Sequence, residues 1–207
     1  MKKKGLIIYD FDGVLVNSQN AIKFYYAAIF RHFGLPELDW DNPYVSGQVF
    51  AMTHRQLLSQ YADGELLEKM YNYLPPFTIQ DMLDATPLET GVAETIPELS
   101  ADYILAICTN RGESVDSYLR HYNLYGHFSY TITSNDVRNP KPSPEGILKI
   151  LSYFGADNAL FVGDSETDYL AAKDAGINFI AFKSTLFDSQ IITDHCDIKQ
   201  FLHRSHT

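Results

Sequence analysis

The chain has 207 residues, 45% of them apolar and 14% aromatic, enough to close a full core and leave room for one domain plus an insertion. Sixteen Lys and Arg against 26 Asp and Glu give a net charge of −10, which argues against nucleic acid or an anionic membrane as partner. No apolar stretch reaches the roughly 20 residues that span a bilayer, and Cys108 and Cys196 show no CxxC or framework spacing, so a reducing, cytoplasmic location is expected.

The opening Met1-Lys2-Lys3-Lys4 resembles the charged start of a secretory signal, but Asp10 and Asp12 interrupt the apolar run behind it, so Lys2–Lys4 is expected to be a solvated terminus. Leu6–Asp10 is short and apolar enough for a strand buried on both faces. It ends in Asp10-Phe11-Asp12-Gly13-Val14-Leu15. Two carboxylates two residues apart share a face if the strand continues, and Gly13 permits a tight turn directly after them. Both can therefore face one site at the carboxyl edge of a sheet, where open α/β folds bind ligands. Taken alone, the pattern also fits a calcium loop or a solvated turn, but no further calcium ligands follow at the required spacing.

More than ninety residues separate this run from the next, Tyr103–Thr109, far more than a crossover needs. An insertion is predicted there. Ser18 is a candidate cap for a helix carrying Ile22, Tyr25, Ile29 and Phe33 at helical spacing; Leu57, Leu58 and Tyr61 repeat the spacing, as do Leu66, Leu67, Met70, Tyr71 and Leu74. Gly64 separates the last two segments and Pro75-Pro76 ends the third. Residues 17–86 are thus read as a small all-helical cap after the first strand, with Pro87–Gly91 returning the chain. The aromatics Phe24, Tyr25, Tyr26, Phe30 and Phe33 read as cap packing. His54-Arg55 reads as a helix start, solvated or facing a substrate's distal group.

The later apolar runs Tyr103–Thr109, Tyr130–Thr133, Ala159–Asp164 and Asn178–Phe182 alternate with helical patterns. That alternation predicts an α/β fold with a Rossmann-like parallel sheet flanked by helices, built from residues 1–16 and 87–207. Ser143-Pro144 places a cap and a first-turn proline before Gly146–Phe154, and Gly155 and Gly176 sit where helix-ending glycines belong.

Three further groups stand at predicted strand ends or loops: Thr109-Asn110, Lys141 within Asn139-Pro140-Lys141-Pro142, and Val162-Gly163-Asp164-Ser165-Glu166-Thr167-Asp168. With Asp10-Phe11-Asp12-Gly13 they resemble, in order, the motifs of the haloacid dehalogenase (HAD) superfamily in its phosphatase branch. The resemblance spans nearly the whole core and matches the cap only loosely. It implies Asp10 as nucleophile, Asp12 as general acid/base and the Asp12 backbone carbonyl as a metal ligand.

Physical chemistry fits each position. A carboxylate attacking a phosphate dianion needs a metal beside it, and a few oxygen ligands from Asp10, Asp12 and Asp164 suit Mg2+. Asp168, one helical turn beyond Asp164, is assigned to a metal-bound water or to anchoring Lys141. Thr109, Asn110 and Lys141 are the groups expected to bind the transferring phosphoryl group. Burial and the charge of Asp10 would raise the pKa of Asp12, and a metal would oppose this. Arg111 touches substrate or merely starts a loop, since in the resembling phosphatases lysine often stands there. Cys108 reads as a small buried hydrophobe.

Dehalogenases lack the second aspartate, and the phosphonate-cleaving relatives need a cap lysine, whereas the stretch from Phe24 to Glu68 has none. Expected is a magnesium-dependent phosphatase acting on a small phosphomonoester, phosphoglycolate-like or a sugar phosphate, as a monomer or small homo-oligomer. The alternatives are a hexose-phosphate mutase of the same superfamily and, from another class, a phospho-accepting signalling module, which would need neither Asp12 nor a large cap. A catalytically idle interaction protein would have little use for the four groups together.

Overall fold

In the computed structural model, which describes residues 3–204, six strands form one parallel sheet. They are β1 (Leu6–Tyr9), β2 (Ile104–Cys108), β3 (Tyr130–Ile132), β4 (Leu160–Gly163), β5 (Asn178–Phe182) and β6 (Gln190–Ile192), in the order β3-β2-β1-β4-β5-β6. The first five lie in the five apolar runs. β6 was not anticipated: it is three residues long, lies at the sheet edge, and leaves Gln190 and Ile191 exposed, so it carries no continuous apolar signal.

Five helices follow β1 within the inserted stretch: α1 (Gln19–His32), α2 (Pro43–Ala51), α3 (His54–Leu58), α4 (Gly64–Tyr71) and α5 (Ile79–Asp84). The remainder alternate with strands or close the chain: α6 (Val92–Asp102), α7 (Val115–His121), α8 (Glu145–Phe154), α9 (Glu166–Asp174) and α10 (Ile198–Arg204). None of the helices of the described residues is long and apolar enough to cross a membrane.

Alternation along the strands sends side chains to both faces of the sheet. Leu6 and Ile8, with Ala106, Cys108 and Phe161, pack against Ile147, Ile150 and Leu151 of α8 and Ala171 and Ala172 of α9. Ile7 and Tyr9, with Leu105, Ile107 and Val162, pack on the other face against α6, α7 and α10. Each large side chain so buried contributes roughly 1.5–3 kcal/mol. Tyr26, Ile29 and Phe30 of α1 gather instead with Leu57 and Leu58 of α3 and Met70 of α4 in a separate cluster. Leu83 of α5 belongs to the α6 side of the sheet.

The two chain crossings between these bodies run side by side. Asn17 N–H donates to Pro87 O at 2.7 Å, Glu89 N–H to Leu15 O at 3.0 Å, and Val16 pairs antiparallel with Leu88.

Local signals hold with small displacements. Gly155 and Gly176 have φ of 58° and 72°, in the left-handed region that favours glycine. α1 starts after Ser18, but the Ser18 hydroxyl makes no capping bond. Thr53 and Thr78 form the capping boxes of α3 and α5. Pro144, not Ser143, takes the cap position of α8, while Ser143 Oγ accepts from Glu145 N–H at 3.3 Å. α9 begins at Glu166, earlier than the apolar run from Tyr169, because Ser165 and Asp168 form a capping box. Lys3 and Lys4 are exposed and reach the end of α6, Lys4 through an ion pair to Asp102 at 2.6 Å; Lys2 lies outside the described residues.

Candidate active site

The sheet register brings the motifs together. β1 is central, paired with β2 on one side and β4 on the other, so the residues just past Tyr9, Cys108 and Gly163 reach the same edge. The ladder runs one step beyond the strands: Asp10 N–H donates to Val162 O at 2.9 Å and Thr109 N–H to Ile132 O at 3.0 Å. Gly13 turns the chain at φ 78°, and a Cβ added there would stand 2.2 Å from Asp164 Oδ2. The Asp164 carboxylate thus lies directly on the turn that follows Asp12.

Lys141 enters from the loop before α8, with a cis peptide bond to Pro142. It is only 4% exposed, and its Nζ lies 2.8 Å from Asp10 Oδ1 and 2.5 Å from Asp168 Oδ1. The backbone around it is held by Asn110, which accepts from Lys141 N–H at 3.0 Å and donates to Lys141 O at 2.9 Å. The Asn110 amide therefore grips the loop that delivers the lysine. Thr109 is buried, and its Oγ1 accepts from Arg111 N–H at 3.1 Å.

Asp168 is fully buried. Its Oδ2 accepts from Ser165 Oγ at 2.7 Å, Ser165 N–H at 3.1 Å and Asp164 N–H at 3.2 Å, while Oδ1 faces Lys141. Of the two tasks expected for it, anchoring Lys141 matches this geometry, with both oxygens occupied.

Oxygens of Asp10, Asp164 and Asp168 lie within 4.8 Å of one another, a possible metal cluster among the described residues. Burial, then the Asp168 charge, push the Asp10 carboxyl up despite Lys141. The same two causes, with Asp10, push Asp164 well up. Lys141 stays charged, since the paired carboxylates outweigh its burial. Three acids stand together with one ammonium, paired to two of them, an oxygen-only donor set short of positive charge, which fits a hard divalent cation.

Asp12 stands apart from that cluster. Arg111 holds its carboxylate as a fork, Nε–H to Oδ2 at 2.9 Å and Nη2–H to Oδ1 at 2.6 Å. Burial raises the Asp12 pKa, but the Arg111 charge and hydrogen bonds, with Ser18 and Lys141, outweigh it, and the net direction is down. The upward influence of burial and Asp10 expected from the sequence is thus overridden by a partner 99 positions away. Sequence reasoning gave Arg111 no firm role, and no spacing rule links it to Asp12.

A cavity of about 350 Å³ opens beside the cluster, lined in part by Gly13, Asn17, Gln19, Asp164, Lys183 and Leu186. In the cap, His54 is packed among Tyr25, Tyr26 and Tyr71, with Tyr26 Oη 3.1 Å from His54 Nδ1. His54 opens α3 as expected, but packed against these rings and not solvated, and burial pushes its imidazole down to about 4.

Known proteins resemble this chain over most of its length. The phosphoglycolate phosphatase of Aquifex aeolicus is 28% identical over 179 residues, 83% of this chain and 81% of that one. Pyrophosphatase PpaX of Bacillus velezensis is 27% identical over 198 residues, 93% of this chain and 89% of its own. A crystal structure of a HAD-superfamily hydrolase, subfamily IA, from Geobacter sulfurreducens is 33% identical, with a TM-score of 0.75 over 96% of either chain. The family model of haloacid dehalogenase-like hydrolases matches residues 7–182, from β1 to the end of β5 and across every strand end described above: the chain belongs to the haloacid dehalogenase-like hydrolase family.

Proposed function

We propose that this phosphoric monoester hydrolase cleaves a small phosphomonoester, phosphoglycolate-like or a sugar phosphate, through a phospho-aspartyl intermediate on Asp10. The observation that carries the reading is the meeting of Asp10, Lys141 and Asp164 at one sheet edge, with Lys141 Nζ 2.8 Å from Asp10 Oδ1 and Asp164 against the Gly13 turn. The phosphatase names of the relatives support it.

In the first half, an Asp10 oxygen attacks phosphorus, the ester P–O bond breaks, and Asp12 gives a proton to the departing alcohol. In the second, water attacks the phosphorus, its proton passes to Asp12, and the bond to Asp10 breaks to free phosphate. The ionised Asp12 that Arg111 favours is the form this second half uses. Thr109 and Lys141 hold the phosphoryl oxygens, and Asn110 and Asp168 keep Lys141 in place. Mg2+ would be held by Asp10 and Asp164, with the Asp12 carbonyl that the family resemblance adds, and when bound it supplies charge compensation for the carboxylates and the transferring oxygens. Residues 17–86 act as the cap over this core, with α5 as the stem that returns to it.

The test is phosphate release from a panel of small phosphorylated metabolites with Mg2+, sugar-phosphate isomerisation being followed in parallel. Turnover is expected for the unaltered chain, none for Asp10→Asn, and a loss of about 10²–10⁴-fold for Asp12→Asn. Near-normal release by the Asp10 variant would remove Asp10 as nucleophile, and isomerisation without release would favour the mutase.

A further inference from the structure

Arg111 is the cation of the site to which the chemistry above gives no substrate to bind. Lys141 is committed between Asp10 and Asp168, at 2.8 and 2.5 Å. Arg111 stands beyond it, with its fork on Asp12 and Nη1–H reaching Ser114 Oγ at 3.0 Å. The guanidinium carbon lies 4.9 Å from the Tyr118 ring and 5.4 Å from the Phe11 ring, aromatic surfaces that hold the planar cation in place. Tyr25 and Tyr26 of α1 lie within its field: burial raises both phenols and the Arg111 charge offsets part of that rise. The side chain, 15% exposed, therefore stands beside Asp12, the group that must reach the leaving oxygen of a substrate attacked by Asp10.

We propose that Arg111 is a specificity-determining residue whose fork receives a carboxylate on the leaving alcohol of the substrate. This rests on the phosphatase reading above. The fork already holds a planar two-oxygen anion, so a substrate carboxylate matches the group whose place it takes. The exchange keeps the guanidinium paired and leaves the Asp12 side chain free to turn toward the ester oxygen. A neutral leaving group offers the fork nothing, and Asp12 stays clamped. The chain carries −10 overall, and a partly buried guanidinium is what reverses that field at the point where a second negative charge enters.

The test compares kcat/KM for 2-phosphoglycolate and its uncharged carboxamide in the unaltered chain, Arg111→Gln and Arg111→Lys, each checked for a cooperative thermal transition. The unaltered chain is expected to favour the acid by about 10-fold or more, the worth of a charged hydrogen-bonded pair. In Arg111→Gln that preference falls to within about 3-fold, and Arg111→Lys, which keeps the charge without the fork, lies between. Equal losses on both substrates in Arg111→Gln would make the arginine only a holder of Asp12 and overturn the proposal. Calorimetric binding of the same two compounds to Asp10→Asn, with and without Arg111→Gln, separates the two readings. Release from no member of the metabolite panel refutes the phosphatase, whereas equal affinities for acid and amide refute the role of Arg111 even in an active enzyme.

Discussion

Gly13 bears the tightest steric constraint at the site. Its φ of 78° is one that side chains other than glycine rarely adopt, and a methyl group would meet the Asp164 carboxylate at 2.2 Å. Backbone strain of this kind costs about 1–3 kcal/mol, and here its relief would push Asp164 off the turn. Gly13→Ala is therefore expected to fold with reduced stability, to lose turnover by about 10-fold or more, and to need more Mg2+ for half-maximal rate; a Mg2+ titration of phosphate release checks this, and an unchanged midpoint would remove Asp164 from the metal site. At this scale the sequence was informative wherever chemistry is local: Asp10, Asp12 and Gly13 are neighbours, and Asp164 and Asp168 are one helical turn apart. It was silent on the Asp12–Arg111 fork, because a pair 99 positions apart leaves no spacing to read, and on the Asn110 amide, expected at the phosphoryl group, gripping the backbone of Lys141.

Among the elements, α9 couples stability to the site most directly. Ser165 caps it by accepting from Asp168 N–H at 3.2 Å, and the Ser165 hydroxyl donates to Asp168 Oδ2 at 2.7 Å. Asp168 in turn holds Lys141. Ser165→Ala should cost about 0.5–2 kcal/mol as a lost cap, and thermal unfolding should show a drop of roughly 2–4 °C per kcal/mol for a chain of this size. The rate should fall as well, because Asp168 loses the hydroxyl that orients it; a lower Tm with unaltered turnover would confine Ser165 to helix capping. Five strands were legible because each is an apolar run buried on both faces. β6 was not, being a short edge segment with polar and exposed positions. α2 and α5 carry little periodic signal: α2 includes Gly47 and starts at Pro43, and α5 is a six-residue helix whose Leu83 packs against the sheet.

At the scale of the molecule, His195 ties the last part of the chain to the first, 181 positions away, with its Nε2 2.7 Å from Val14 O. The ring is fully buried between Tyr9 and Phe182, and burial above all depresses its pKa from 6.5 to about 4. A folded value below the unfolded one means that the neutral ring is favoured by folding. Its contribution is complete above about pH 6.5 and declines as pH falls toward about 4, by on the order of 2–4 kcal/mol in all. His195→Gln keeps a donor for Val14 and removes the titration, so urea unfolding between those two pH values should show a shallower loss than in the unaltered chain; parallel curves would contradict it. The paired crossings at Val16 and Leu88 carry a consequence of another kind. The polypeptide departs from the sheet and rejoins it at adjoining points stitched by Asn17–Pro87 and Glu89–Leu15 bonds, and between α1 and α4 the inserted helices gather in a cluster of their own. A graft that replaced α1 to α4 while keeping α5 and these two crossings is expected to leave the sheet folded, which thermal unfolding of such a chimera would check.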